Sequence, residues 1–113
     1  MNPSDNFSFR FILPQVFGDT VQIKVMEILL RNLIEEQKQA HPIWLNFSDI
    51  AEIGHIAKSS SKRILEQLLK QGYIEEKQIE THAQNPPRMI HLVSNHPVMV
   101  ELLFFFKKAR GLL

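Results

Sequence analysis

Residues 46–74 read NFSDIAEIGHIAKSSSKRILEQLLKQGYI, and this stretch decides the fold. Its apolar spacing predicts a short helix over 49–53 and a longer one over 58–70. Gly54, followed by a histidine, supplies a tight turn between them. The longer helix is expected to stop at Gly72, because glycine readily adopts the left-handed conformation that closes a helix. The segment therefore predicts two helices joined by a tight turn.

The next residues predict a two-stranded hairpin. Residues 73–80 suit one strand, residues 81–87 contain strong breakers, and residues 88–93 suit a returning strand with Ile90 and Leu92 on one face. Two helices joined by a turn and followed directly by a hairpin form the winged helix-turn-helix plan. We therefore expect a mainly α, α+β fold of this kind with a two-stranded wing.

The helices that flank this unit are unusually apolar. Thr20 is a plausible N-cap for a helix that runs to about Lys38, and residues 43–45 suit a short extended segment after it. The apolar residues of this helix cover more than the stripe that one core contact needs, so a second chain is expected to cover part of it. Lys24, Glu27 and Arg31 form the polar side of this helix, and their spacing allows ion pairs along the helix.

The last predicted helix begins after Ser94 or Asn95, has Pro97 in its first turn and runs to about Arg110. Its own domain can cover only some of its apolar side chains, and the remainder predict an interface. Membrane-surface binding is disfavoured, because the helix lacks a strongly basic polar face. We expect a homodimer, with these residues in the interface: Phe9, Phe11, Ile23, Leu30, Leu103, Phe104, Phe105 and Phe106.

The N-terminal residues predict an extended arm. Phenylalanines at 7, 9 and 11 alternate with polar residues, which is typical of a short strand or arm. The expected organisation is a single domain, with an arm over 1–15, a winged helix-turn-helix body over 16–96 and a C-terminal dimerisation helix over 97–113.

Positive charge is concentrated on the longer of the two helices predicted within residues 46–74. Residues 58–70 contain four basic residues and one acidic residue, a net charge of +3, whereas the whole chain carries +1. Small serines at its start suit a helix end that approaches base edges and phosphates. Double-stranded DNA is therefore the expected partner, contacted by Lys58, Ser59, Ser60, Lys62 and Arg63 from this helix and by Gln84, Asn85 and Arg88 from the wing.

Several short motifs, in their order and spacing, resemble one family. They are Phe17–Thr20, Ser48–Glu52, Ile56–Lys58, Ile64–Leu68, Gln71–Ile74 and Asn95–Val98. Over roughly residues 16–106 the chain resembles small archaeal and bacterial winged-helix transcriptional regulators. The resemblance implies DNA binding as a dimer, with the recognition helix in the major groove and the wing at the adjacent minor groove.

The chain departs from that family at three places. Ala57 stands where a serine or threonine N-cap is usual, and Ser61 stands where a core residue is usual. The first wing strand is acidic, with three glutamates against Lys77. Either these acids face solvent while Arg88 touches phosphate, or the wing does not touch DNA. The alternative function is a winged-helix protein-interaction module that does not bind DNA, which the modest net charge and the acidic strand favour.

Composition argues against other classes of function. There is no cysteine for a thiol nucleophile, a thiolate zinc site or a disulfide scaffold, and the five histidines form no helical i, i+4 pair. The serines lack a nucleophile-elbow pattern, and no glycine-rich phosphate loop occurs. We therefore expect neither an enzyme nor a metal or cofactor. Without a visible signal peptide or transmembrane segment, a cytoplasmic location is expected.

Overall fold

A computed structural model describes residues 11–79 and 86–111. These residues form a mixed α+β structure with five helices and one three-stranded antiparallel sheet. In chain order the elements are α1 (Leu13–Phe17), α2 (Val21–Gln39), β1 (Leu45–Asn46), α3 (Asp49–Gly54), α4 (Lys58–Lys70), β2 (Ile74–Gln78), β3 (Arg88–Leu92) and α5 (Pro97–Ala109). From α2 onward, the predicted order of helices and strands is confirmed.

The sheet is a hairpin extended by one very short strand. Its order is β1-β3-β2, so β3 lies in the centre and pairs antiparallel with both neighbours. Leu45 lies opposite Ile90 on one side of β3, and Ile74 lies opposite Leu92 on the other. Because Ile74, Ile90 and Leu92 are buried, the sheet contributes one apolar surface to the core.

The long helix α2 is the centre of the core. Eight of its residues are buried, and it packs against α1, α3, α4 and β3. The other elements bring Ile50 of α3 and both Leu65 and Leu68 of α4 into the same cluster. A second chain is therefore not needed to cover α2, contrary to the expectation from its wide apolar surface, because this chain's own elements surround it.

The predicted extended arm over residues 1–15 is wrong at its C-terminal end. Residues 13–17 form the helix α1 instead of continuing an extended arm to residue 15, with Pro14 in its first turn, where proline is compatible with a helix. Leu13 is buried in the core, and the Glu27 carboxylate accepts hydrogen bonds from the backbone N–H groups of Leu13 (2.6 Å) and Ile12 (2.8 Å). The remainder of the predicted arm, including Phe9, lies outside the described residues.

Three helices show how far local patterns predict helix ends. Thr20 is the N-cap of α2, as expected, and its hydroxyl oxygen accepts a hydrogen bond from the backbone N–H of Ile23 at 3.2 Å. Helix α4 has the predicted limits. Helix α5, however, is capped by His96 rather than by Ser94 or Asn95. The Nδ1 atom of His96 accepts a hydrogen bond from the backbone N–H of Val98. Among the described helices, none combines the length and the apolar character required to cross a membrane.

Candidate nucleic-acid interface

Helix α4 presents one face to the core and the opposite face to solvent. Ser61, Ile64, Leu65 and Leu68 are buried, as their spacing predicts, and the helix packs against α2, α3 and β2. This packing fixes the helix rotation, since the apolar stripe has only one position against α2. Lys58, Lys62 and Arg63 are therefore held outward by the packing of the opposite face of the helix.

The outward face of α4 carries positive charge that the fold leaves uncompensated. Lys58, Lys62 and Arg63 are exposed, and among residues 11–79 and 86–111 none forms an ion pair with them. Ser59 is also exposed and Ser60 is half-buried, so the first turn has small hydroxyl side chains beside the cations. The five α4 residues predicted to contact DNA therefore lie together on the first two turns of one helix.

The start of α4 has no side-chain cap. Ala57 occupies the N-cap position in an extended conformation, and among the described residues no side chain caps the first-turn amides. The first N–H groups of a helix have no partner within the helix and carry partial positive charge. A ligand with oxygen acceptors, such as a phosphate, can satisfy these amides, while the adjacent lysines supply full charges.

Arg88 is not placed as a DNA contact. Its guanidinium forms an ion pair with Glu66 of α4 at 2.7 Å, hydrogen bonds with Glu76 of β2, and lies 4.0 Å from the centre of the Phe47 ring. The hydrogen bond with Glu76 raises the pKa of Arg88 further above its usual range. Because two carboxylates neutralise this cation, we remove Arg88 from the predicted DNA-contacting set. Its position makes it a tie between α4 and the hairpin.

The acidity of β2 has an explanation inside the fold. Glu76 pairs with Arg88, and Glu75 lies 3.7 Å from Nδ1 of His91. Lys77 lies 4.3 Å from the centre of the Trp44 ring. Each of these charged side chains therefore contacts a neighbouring element, and the charge of Glu76 is balanced by Arg88. The predicted wing contacts Gln84 and Asn85, and the third acid Glu80, lie outside the described residues.

The residues predicted for a dimer interface divide into buried and exposed groups. Leu30 and Phe106 are 0% exposed, so both are core residues with no surface to offer, and we remove them from the proposed interface. Phe11, Ile23 and Leu103 are partly buried against the core. Phe104 and Phe105 are 52% and 39% exposed, and they remain available to a second copy.

An apolar surface that the sequence analysis described only in part surrounds these phenylalanines. We define the α1/α5 surface as the exposed side chains Val16, Phe17, Val98, Phe104 and Phe105. The rings of Phe17 and Phe105 lie 5.7 Å apart, which joins the two helices into one patch. The α1 part was missed because the sequence analysis predicted no helix over residues 13–17.

Sequence reasoning also missed two buried or half-buried ionic clusters. Glu27 is fully buried and forms an ion pair with Arg31 at 2.7 Å, whereas only a surface helical pair was expected. Glu36 and His91 are joined by a 2.5 Å contact between α2 and β3. A carboxylate in the middle of the apolar run of α2 is the pattern that could have indicated the first cluster. Within residues 11–79 and 86–111, no group of three or more potential ligands could hold a metal ion.

Comparisons of the chain with protein-family models, with curated protein sequences and with solved structures find no match. A function for this chain is therefore inferred from its own residues alone.

Proposed function

We propose that this chain is a winged-helix protein that binds double-stranded DNA sequence-specifically as a homodimer and regulates transcription. The observation that carries the proposal is the outward face of α4, where Lys58, Lys62 and Arg63 are exposed and unpaired among the described residues. The helix, turn, helix and hairpin order of α3, α4, β2 and β3 supports the winged-helix assignment. Helix α4 is then the recognition helix.

The chemistry of the face suits the major groove. Lys58 and the uncapped amides of the first turn are positioned for phosphate oxygens, whereas Lys62 and Arg63 reach further and can bind a guanine edge or a second phosphate. Ser59 and Ser60 are small enough to let the helix end approach the bases. Three phosphate contacts in each protomer would give a dimer a slope of about −5 in a plot of log affinity against log salt.

Arg88 takes a structural role in this proposal. By pairing with both Glu66 and Glu76 it links the hairpin to α4, the recognition helix of this proposal. The α1/α5 surface supplies the contact between protomers. A two-fold axis through that surface would present two α4 helices to half-sites separated by about one helical turn or a multiple of it.

The test is fluorescence anisotropy of labelled duplexes at about 50 and 200 mM salt. The duplexes come from the sequence next to the protein's own gene, with a scrambled duplex for comparison. We expect binding that weakens steeply with salt and prefers the genomic sequence. The Lys62→Glu/Arg63→Glu variant should lose binding while its circular dichroism and unfolding midpoint remain those of the parent.

The matched control is Lys24→Glu/Lys38→Glu, which changes the net charge equally at two positions on α2, outside both α4 and α5. This control should retain most of the affinity, because only long-range attraction is reduced. Equal affinity of the folded α4 variant and the control for the duplex would contradict the assignment of α4 as the recognition helix.

A second candidate is a winged-helix interaction module that binds another protein rather than DNA. The exposed apolar α1/α5 surface favours it, because a patch of this kind usually marks an interface. In the same experiment, absence of DNA binding at both salt concentrations would favour this candidate.

A further inference from the structure

A cavity of about 270 Å³ lies between α2, α3, β1 and the end of α5, away from the outward face of α4. Its apolar wall consists of Ile28 of α2, Leu45 of β1 and Ile53 of α3. Small-molecule sites are typically concave and mostly apolar, with a few polar groups that orient the ligand. The cavity has the size and the wall for a small apolar group.

The polar rim of the cavity includes two arginines that differ in their pairing. Arg31 and Arg110 both line the cavity, and both guanidinium groups lie near the ring of the buried Phe106, at 5.9 and 5.6 Å from its centre. Arg31 is paired with the carboxylate of Glu27. Within the described part of the chain, Arg110 has no carboxylate partner. One positive charge at the rim is therefore left without a counterion.

The other two polar residues of the rim restrict which anion fits. Asn32 is held in place, because its amide nitrogen donates a 2.7 Å hydrogen bond to the carbonyl oxygen of Ile43. Glu35 adds a negative charge to the rim, and its nearest described cation, Lys38, is 3.6 Å away. A second negative charge on a ligand would be repelled by Glu35, whereas a single one can pair with Arg110.

We propose that this cavity binds a small organic monoanion with an apolar body, such as a monocarboxylic acid. The carboxylate pairs with Arg110, and the apolar body packs against Ile28, Leu45 and Ile53. The site shares no residue with the outward face of α4, so it stands whether or not the chain binds DNA.

The test uses 4-phenylbutyrate as the probe and 4-phenylbutanol as its uncharged counterpart, each titrated into the 113-residue chain. Binding is followed by methyl chemical shifts in ¹H–¹³C spectra. We expect the acid to bind with a Kd on the order of 1 mM, as is reasonable for a ligand of this size. The alcohol should bind about tenfold more weakly, and the shifts should concentrate on Ile28, Leu45 and Ile53.

Two variants and one control distinguish the cavity from non-specific binding. Arg110→Gln should weaken the acid about tenfold and leave the alcohol unchanged, since only the charge-assisted contact is lost. Ile53→Phe should weaken both probes by filling the cavity. Lys108→Gln removes the same charge from an exposed neighbour and should bind like the parent. Equal effects of the Arg110 and Lys108 substitutions, or shifts confined to Val98 and Phe105, would overturn the proposal.

Discussion

At the scale of single residues, Ser61 is the clearest conflict between a side chain and its surroundings. It is buried on the core face of α4, and within the described residues its hydroxyl has no hydrogen-bond partner. Leaving a buried polar group unpaired costs about 1–3 kcal/mol, although a hydroxyl in a helix can recover part of this by turning toward the preceding turn.

We therefore expect Ser61→Ala to raise the free energy of unfolding by about 1 kcal/mol, measured by urea denaturation. Ser59→Ala is the control, because Ser59 is exposed on the same helix and its substitution should change stability by less than about 0.5 kcal/mol. A loss of stability in Ser61→Ala would show that the hydroxyl has a partner in solution.

Glu76 gives a prediction about pH. The hydrogen bond from Arg88 lowers the pKa of the Glu76 carboxyl below its ordinary value of 4.5. A carboxyl whose pKa is lower in the folded state stabilises the fold above its unfolded-state pKa. That contribution is lost as the pH falls from about 4.5 through the lowered folded-state pKa.

At about pH 7 we expect Glu76→Gln to be less stable than the parent by about 1 kcal/mol, since the pair is partly solvated. The difference should narrow toward about pH 3, where the parent also begins to lose the charge. Glu101→Gln serves as the control, because Glu101 is exposed and has no ion pair among the described residues. A difference that stays constant over this pH range would contradict the ionic role of Glu76.

At the scale of elements, α4 and α1 show what a sequence pattern can and cannot predict. The limits of α4 could be predicted, because its periodicity, its basic outer face and Gly72 are all encoded within fifteen residues. Helix α1 could not be predicted, because the backbone amides at its start are bound by Glu27, 14 residues further along the chain from Leu13. Local alternation of phenylalanines dominated that prediction, whereas the fold uses a distant carboxylate.

In the candidate site, too, the features set by local sequence could be predicted, and those set by distant residues could not. Lys58, Lys62 and Arg63 could be found from charge counting alone, since exposure follows from the apolar stripe on the opposite face of α4. The pairing of Arg88 could not be found, because its partners Glu66 and Glu76 are brought to it by the packing of the hairpin against the helix. Periodicity predicts which face is polar but not which charges neutralise each other.

The attachment of α1 can be tested through Glu27. We expect Glu27→Gln to lower the free energy of unfolding by about 3 kcal/mol, because it removes the buried negative charge that pairs with Arg31 and weakens the hydrogen bonds to Ile12 and Leu13. Relative to the parent, the variant should also show a larger increase in the rate of amide hydrogen exchange in α1 than in α4. Glu35→Gln, on the exposed side of the same helix, should have little effect. A cost below about 1 kcal/mol would show that α1 is held mainly by Leu13.

At the scale of the whole molecule, the α1/α5 surface raises the question of what covers it. A stable protein interface buries about 800 Å² from each partner. One face of α5 is too narrow for this, so we expect Val16 and Phe17 of α1 to take part together with Phe104 and Phe105.

We expect the parent protein to elute with twice the 13.2 kDa mass of the chain in light scattering coupled to size exclusion. Phe104→Ser/Phe105→Ser should elute as a folded monomer, because both rings are exposed and their removal leaves the core unchanged. Ile79→Ser is the matched control, an exposed apolar residue beyond the end of β2 that should remain dimeric.

DNA binding then separates the role of the dimer from the role of α4. The monomeric variant keeps Lys58, Lys62 and Arg63, so its affinity for a duplex with one half-site should equal that of the parent. Its affinity for a duplex with two half-sites should fall by about 100-fold, because the second contact is no longer tethered. A monomeric variant that binds both duplexes as the parent does would place the protomer contact on another surface and leave the α1/α5 surface for a different protein.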